Sequence, residues 1–151
     1  MTRIAIPNET CPQDQRTAMT PSNVGKLARA GAEVLVESGL GAGCGYADEE
    51  YRAAGSGLVG GRSELLEAAD LVLRLNKPSC DEVAQLQPGA VHISFLDPFN
   101  ERTLVEALRD RQVSAVSMEM VPRTTRAQKM DALSSQASLA GYVMTIQAAN
   151  R

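Results

Sequence analysis

Five short aliphatic runs constrain this chain more than any other feature of it. RIAIP (3–7), EVLVE (33–37), LVLRL (71–75), AVHISF (90–95) and VSAVSM (113–118) are rich in Val, Ile and Leu and are separated by stretches with helical spacing. Runs of that length and composition read as buried strands. The intervening stretches carry helix start signals. Thr20 followed by Pro21 gives an N-cap and a proline at the first helical position, with Val24, Leu27 and Ala28 on one face and Gly31 just past the end. Asp48, Ser63 and Asn100 are expected as further N-caps, and Ser79 with Glu82 has capping-box spacing. Strand and helix alternating in this way predict a doubly wound α/β fold, a mostly parallel sheet flanked by helices. No repeat, low-complexity tract or linker divides residues 1–151, so one domain is expected.

With 151 residues, 44% of them hydrophobic, such a domain can bury a real core. Its net charge of −3 provides no overall cationic field for nucleic acid or anionic lipid. The apolar runs are far below the roughly 20 residues that span a bilayer, and MTRIAIPNE has no secretion-signal core or cleavage site. A cytoplasmic location without direct membrane insertion is therefore expected. Cys11, Cys44 and Cys80 are odd in number, widely separated and without a CxxC or CxxH companion, which predicts buried or half-exposed free thiols and no metal site. His92 is the only histidine, and its place in AVHISF predicts a strand residue with its hydrogen bonds satisfied.

Two glycine-rich stretches invite a nucleotide reading. GLGAGCGY (39–46) follows a predicted strand, but no register gives GxGxxG, since the third position falls on Cys44 or Tyr46. The acidic ADEEY that follows would repel a pyrophosphate at that helix N-terminus, so a tight strand-to-helix loop is expected. GSGLVGGR (55–62) lacks the Lys-Ser/Thr of a phosphate loop and reads as a flexible turn. The chain is expected to hold no complete nucleotide site of its own.

VPRTTRAQKMDALSSQASLAGY (121–142) is different. Thr125 and Gln128 have capping-box spacing, which would make the segment a helix entrance. That leaves Arg123, Asp131 and the Ser134-Ser135 pair unexplained. An Arg donates, an Asp accepts, and Ser and Gln do both, so such a set can hold a neutral planar carboxamide on its donor and acceptor edges. From Met130 onward a single long C-terminal helix is predicted, with Leu133, Ala137, Ala140 and Met144 forming a stripe that should lie on a core. A helix that runs to Asn150 without a clear stop suggests a piece of something longer or a surface covered by a partner.

The same run closely resembles the signature near the end of the first subdomain in the α-subunit of proton-translocating NAD(P) transhydrogenase. The resemblance extends over IAIPNET with QRTAMTP, the glycine loop with Asp48 and Tyr51, and ADLVLRLNKP. It implies that residues 1–151 are the N-terminal subdomain of an NAD(H)-binding component whose Rossmann subdomain is absent here. It further implies that Arg123, Asp131 and Ser134 bind the nicotinamide carboxamide and ribose region of NAD(H). Gln128 and Asp131 would form the catalytic pair, with Gln128 reaching NADP(H) on a partner subunit to align the two rings for direct hydride transfer. NAD(H) would be held only together with the Rossmann half. The other implied partners are the NADP-binding component, a membrane component that translocates protons, and a second copy in a homodimer. Through them the chain would sit peripherally at the inner membrane.

Alanine dehydrogenase shares the two-subdomain plan and is the alternative. Arg16 falls on its substrate-carboxylate arginine, but Asn76 stands at its lysine position and Asp97 at its histidine position, and Lys77 is one residue away. A non-catalytic dimerisation or docking module is the remaining reading.

Overall fold

The computed structural model describes residues 1–9, 11 and 13–150. Strands β1 (Arg3–Ile6), β2 (Glu33–Glu37), β3 (Gly57–Val59), β4 (Leu71–Leu73), β5 (Val91–Ser94) and β6 (Ser114–Ser117) form one parallel sheet in the order β3-β2-β1-β4-β5-β6. Helices α1 (Pro21–Arg29), α2 (Asp48–Ala53), α3 (Arg62–Glu67), α4 (Cys80–Gln85) and α5 (Arg102–Asp110) connect them, and α6 (Ala132–Ala149) follows. Alternation along each strand sends neighbouring side chains to opposite faces. Ile4 and Ile6 thus join Val34, Val36, α1 Val24 and α2 Tyr51 in one core. Ala5 and Val72 join α3 Leu65 and Leu66, α4 Val83, and α5 Leu104 and Leu108 in the other. The doubly wound α/β fold is therefore the one observed.

Several local expectations need correction. GSGLVGGR is no flexible turn: it supplies β3, with Val36 opposite Leu58. The strand is too short and too glycine-rich to show a period of its own, and β2 recruits it. At Gly57 the fit is tight, since a Cβ would stand 3.0 Å from Leu35 Cδ2, so the leucine side chain would have to give slightly. Ser79 and Glu82 do form a capping box, with Glu82 N–H donating to Ser79 Oγ at 3.2 Å and Ser79 N–H to Glu82 at 2.9 Å. Thr20 stands at the N-cap of α1, before Pro21, as expected. The expected caps of α2, α3 and α5 shift. Ala47, Gly61 and Glu101 occupy the cap positions of α2, α3 and α5. Asp48 instead accepts from Gly39 N–H at 2.8 Å and from the Ser38 hydroxyl, fixing the loop between β2 and α2. Asn100 donates to Asp97. All three cysteines are free and exposed rather than buried.

The ion pairs that tie the layers together lie at the strands' C-terminal ends. Arg62 reaches Glu37 at 2.8 Å, Glu82 at 2.9 Å and the Asn8 carbonyl at 2.7 Å. Glu82 also accepts from Arg74, whose side chain is 0% exposed, at 3.0 Å. Burial pushes the Glu82 carboxyl up, but Ser79 N–H and the two arginines outweigh it and its pKa is lowered.

The largest departure is α6. Its expected core stripe does not exist: Leu133, Leu139, Tyr142 and Met144 are all more than half exposed. No helix among the described residues is long and apolar enough to cross a membrane.

His92 is buried within β5, where burial first and the Arg74 charge second hold its pKa down to about 4, with the Glu82 charge opposing them. Below the ordinary value of 6.5 the unfolded chain takes up a proton that the folded one refuses, so stability is lost as pH falls from there towards 4. The shift corresponds to roughly 3 kcal/mol. Urea unfolding between about pH 7.5 and pH 4 should therefore show that loss in the wild type and not in His92→Gln. Parallel pH profiles for the two proteins would contradict this account of His92.

Candidate functional site

The polar segment begins where β6 ends. A 3-10 turn at Met118–Met120 is followed by the segment proper, a second 3-10 turn at Gln128–Met130, and α6. Glu119 accepts the backbone N–H groups of Leu96 and Asp97, which ties this stretch to the loop after β5. Local turns then fold it: Thr124 N–H donates to the Pro122 carbonyl at 2.9 Å and Ala127 N–H to the Thr124 carbonyl at 3.0 Å. Ala127, 6% exposed, is the buried anchor of an otherwise exposed stretch. Thr125 and Gln128 form no capping box. The helix entrance is made by Asp131, whose Oδ1 accepts Leu133 N–H at 3.0 Å and Ser134 N–H at 3.2 Å. Its Oδ2 accepts the Ser134 hydroxyl at 2.6 Å. That hydroxyl, then the Ser134 and Leu133 N–H groups and finally the Arg123 charge lower the Asp131 pKa.

Arg123, Thr124, Thr125, Gln128, Asp131 and Ser134 line one solvent-open hollow of about 270 Å³. The four residues singled out in the sequence are thus brought together. Arg123 and Asp131 face the same hollow without an ion pair, and the Asp131 carboxylate already serves as the α6 cap. The side-chain bonds of the segment belong to Thr124, Asp131, Ser134 and Ser135; Arg123 and Gln128 have none among the described residues. Free donors on Arg123 and a free amide on Gln128 suit a neutral carboxamide. On the other side of Arg123 and Asp131 lies an apolar cavity of about 190 Å³ between Phe95, Met118, Val121 and Leu133. Sequence reasoning missed it because its walls come from three separate stretches of the chain.

The sheet order reverses between β1 and β4, and it is there that doubly wound sheets hold ligands. In this chain the reversal is closed by Glu9, which accepts the N–H groups of Leu75 and Asn76 at 2.6 and 2.9 Å and the Asn76 amide at 3.0 Å. Asn76 also donates to Asp14. Arg16 is clamped by Asp14 through Nε at 2.8 Å and Nη2 at 2.7 Å, and the Asp14 carboxyl is held well below the usual range, chiefly by Arg16. Lys77 pairs with Glu101. The glycines of 39–46 serve the same region: a Cβ on Gly43 would meet the Gln15 carbonyl at 2.7 Å. Gly43 lets the chain before α1 lie against the loop, Gly41 makes room for Tyr46 and Tyr51, and Gly39 and Gly45 take positive φ, so the loop's glycines are accounted for without a phosphate. No cluster of metal-ligating side chains occurs among the described residues.

Fold and hollow together define a doubly wound α/β domain that presents binding groups on an open face beyond its last strand. The chain belongs to the alanine dehydrogenase/PNT N-terminal domain family, whose model matches residues 5–140. It is 41% identical to an NAD(P) transhydrogenase subunit alpha protein of Rhodospirillum rubrum, over 97% of this chain and 40% of that protein. It is 35% identical to alanine dehydrogenase of Mycobacterium tuberculosis, over 79% of this chain and 32% of that protein. The crystal structure of transhydrogenase from Sinorhizobium meliloti superposes with a TM-score of 0.89 at 38% identity, over 98% of this chain and 44% of that one. The chain spans less than half the length of each of these relatives.

Capping and binding roles separate by substitution. Asp131→Ala should lower stability by about 0.5 to 2 kcal/mol, the scale of a lost N-cap, whereas Gln128→Ala should stay within about 0.5 kcal/mol of wild type. Denaturant unfolding measures both, and comparable losses would show that Gln128 is structural after all.

Proposed function

We propose that this chain is the N-terminal portion of an NAD(P) transhydrogenase α-subunit and contributes one wall of the site at which hydride passes between NAD(H) and NADP(H). The observation that carries the reading is the hollow at the α6 entrance, where Arg123 and Gln128 offer unbonded groups beside Asp131 and Ser134. The exposed apolar side chains of α6 support it too, because they offer the remainder of such a subunit a surface to cover.

When bound, the two nicotinamides supply the hydride and its acceptor, so the protein needs no general acid or base at the reacting carbon. Positioning is its contribution. Arg123 would donate to the carboxamide oxygen, and Ser134, held by Asp131, would present its hydroxyl oxygen to the carboxamide N–H or the ribose. Asp131 caps the α6 entrance and would add negative charge near the ring. Gln128, exposed and without a side-chain bond among the described residues, would reach towards NADP(H). The wider assembly in this reading comprises a Rossmann NAD-binding half, an NADP-binding component, a proton-translocating membrane component and a second copy of the chain. The chain itself stays on the cytoplasmic side, peripheral to the inner membrane.

The alanine dehydrogenase alternative is disfavoured by the clamped groups near β4. Arg16 is occupied by Asp14, Asn76 cannot act as an amine, and Lys77 is paired with Glu101. Imine chemistry has no free lysine there.

Titrating NADH into the chain alone, and into a mixture with a separately made Rossmann half, tests the division of labour. We expect no saturation in the micromolar range for the chain alone and binding in the mixture. Micromolar binding by the chain alone, or none in the mixture, would overturn the assignment.

A further inference from the structure

Two buried side chains, neither of them used in the proposed hydride transfer, have polar atoms without a partner among the described residues. Val72 pairs with His92 and Leu73 with Ile93, so alternation places Arg74, His92 and Ser94 on the sheet face of Val72, the face beneath α3, α4 and α5. The Arg74 side chain and His92 are both 0% exposed. Arg74 Nη1 donates to Glu82 at 3.0 Å, while its Nε and Nη2 have no acceptor among the described residues. His92 Nε2 lies 3.1 Å from Ser94 Oγ, while Nδ1 is unbonded.

Buried polar atoms are rarely left unmatched, and orphaned ones in a polar setting are the usual seats of internal water. Arg74 and His92 stand on adjacent strands on one sheet face, with Arg74 N–H donating to the Ile93 carbonyl at 3.1 Å, yet their side chains make no direct hydrogen bond. Unmatched donors and an unmatched ring nitrogen on neighbouring buried side chains are groups that one water can bridge. An anion is the wrong guest, because Glu82 already balances the Arg74 charge. One tautomer suits such a water: with the proton on Nε2, donating to Ser94 Oγ, Nδ1 is left as an acceptor.

We propose that a water molecule is built into the domain beneath α4, accepting from the Arg74 guanidinium and donating to His92 Nδ1, with His92 held as the Nε2–H tautomer. This water joins β4 to β5 just before the chain reaches Asn76, and it lets a fully buried arginine use donors that Glu82 does not take up. It is independent of the nicotinamide reading.

Nitrogen-15 NMR of the folded 151-residue chain tests it, and the single histidine makes the ring signals unambiguous. We expect the Nε2–H tautomer and a nuclear Overhauser effect between the ring and a long-lived water, lost in Arg74→Met. The Nδ1–H tautomer, absence of the water signal in the wild type, or its persistence in Arg74→Met would each overturn the proposal. Should Arg74→Met not fold, the wild-type tautomer and water signal decide the question by themselves.

Discussion

An 18-residue helix without a single charged side chain dictates what this domain needs from its surroundings. Leu133, Leu139, Tyr142, Val143, Met144 and Ile146 of α6 are exposed, and between them they leave apolar surface worth on the order of 5 to 10 kcal/mol in contact with water. The apolar groups are also spread around the helix rather than gathered on one stripe. Such a helix is suited to burial on several sides. The rest of the domain is complete, with each face of the sheet carrying its own core. The deficit is therefore local, and it begins at Asp131, where the polar segment ends.

This adjacency gives the polar segment its meaning. Asp131 is the hinge between two demands. Its carboxylate terminates α6 by accepting N–H groups, and through Ser134 it organises the rim of the hollow. A surface that covered α6 would also close over Arg123 and Gln128, whose groups are unbonded among the described residues. Closing the hollow would exclude water and strengthen each charge-assisted contact inside it. In that arrangement binding and assembly draw on the same few residues, and a partner that covers the helix also completes the site.

The fold was legible because strands of a parallel sheet carry aliphatic runs, and five of the six strands lay in such runs, although β6, read as buried, is largely exposed. β3 escaped because Gly57–Val59 has no pattern of its own and exists by pairing with β2. Helix existence was legible, while several caps were not. Asp48, Ser63 and Asn100 each looked like caps, but their helices start one or two residues away from the expected positions, and Asp48 bonds to Ser38 instead. The stripe on α6 misled because three- and four-residue spacing was read from Leu133, Ala137, Ala140 and Met144 alone. The intervening Leu139, Tyr142, Val143 and Ile146 cancel its direction. At the site, residue types marked the polar segment, since its hydrogen-bonding capacity exceeded what a helix entrance needs, and the family resemblance picked Arg123, Gln128, Asp131 and Ser134 within it. Which of them was spent on capping depended on geometry, and the apolar cavity beside them depended on Phe95 and Met118, which arrive from the segments that follow β5 and β6.

The central claim is that the polar segment positions two nicotinamides rather than stabilising the fold. Transient-state measurement of hydride transfer in the reconstituted assembly, comparing wild type with Gln128→Ala, tests it most directly. The account predicts a rate lowered about tenfold or more, since displacement of about 1 Å can cost on the order of a hundredfold, with NADH affinity and unfolding midpoint unchanged. An unchanged transfer rate in a fully assembled, nucleotide-saturated variant would contradict it.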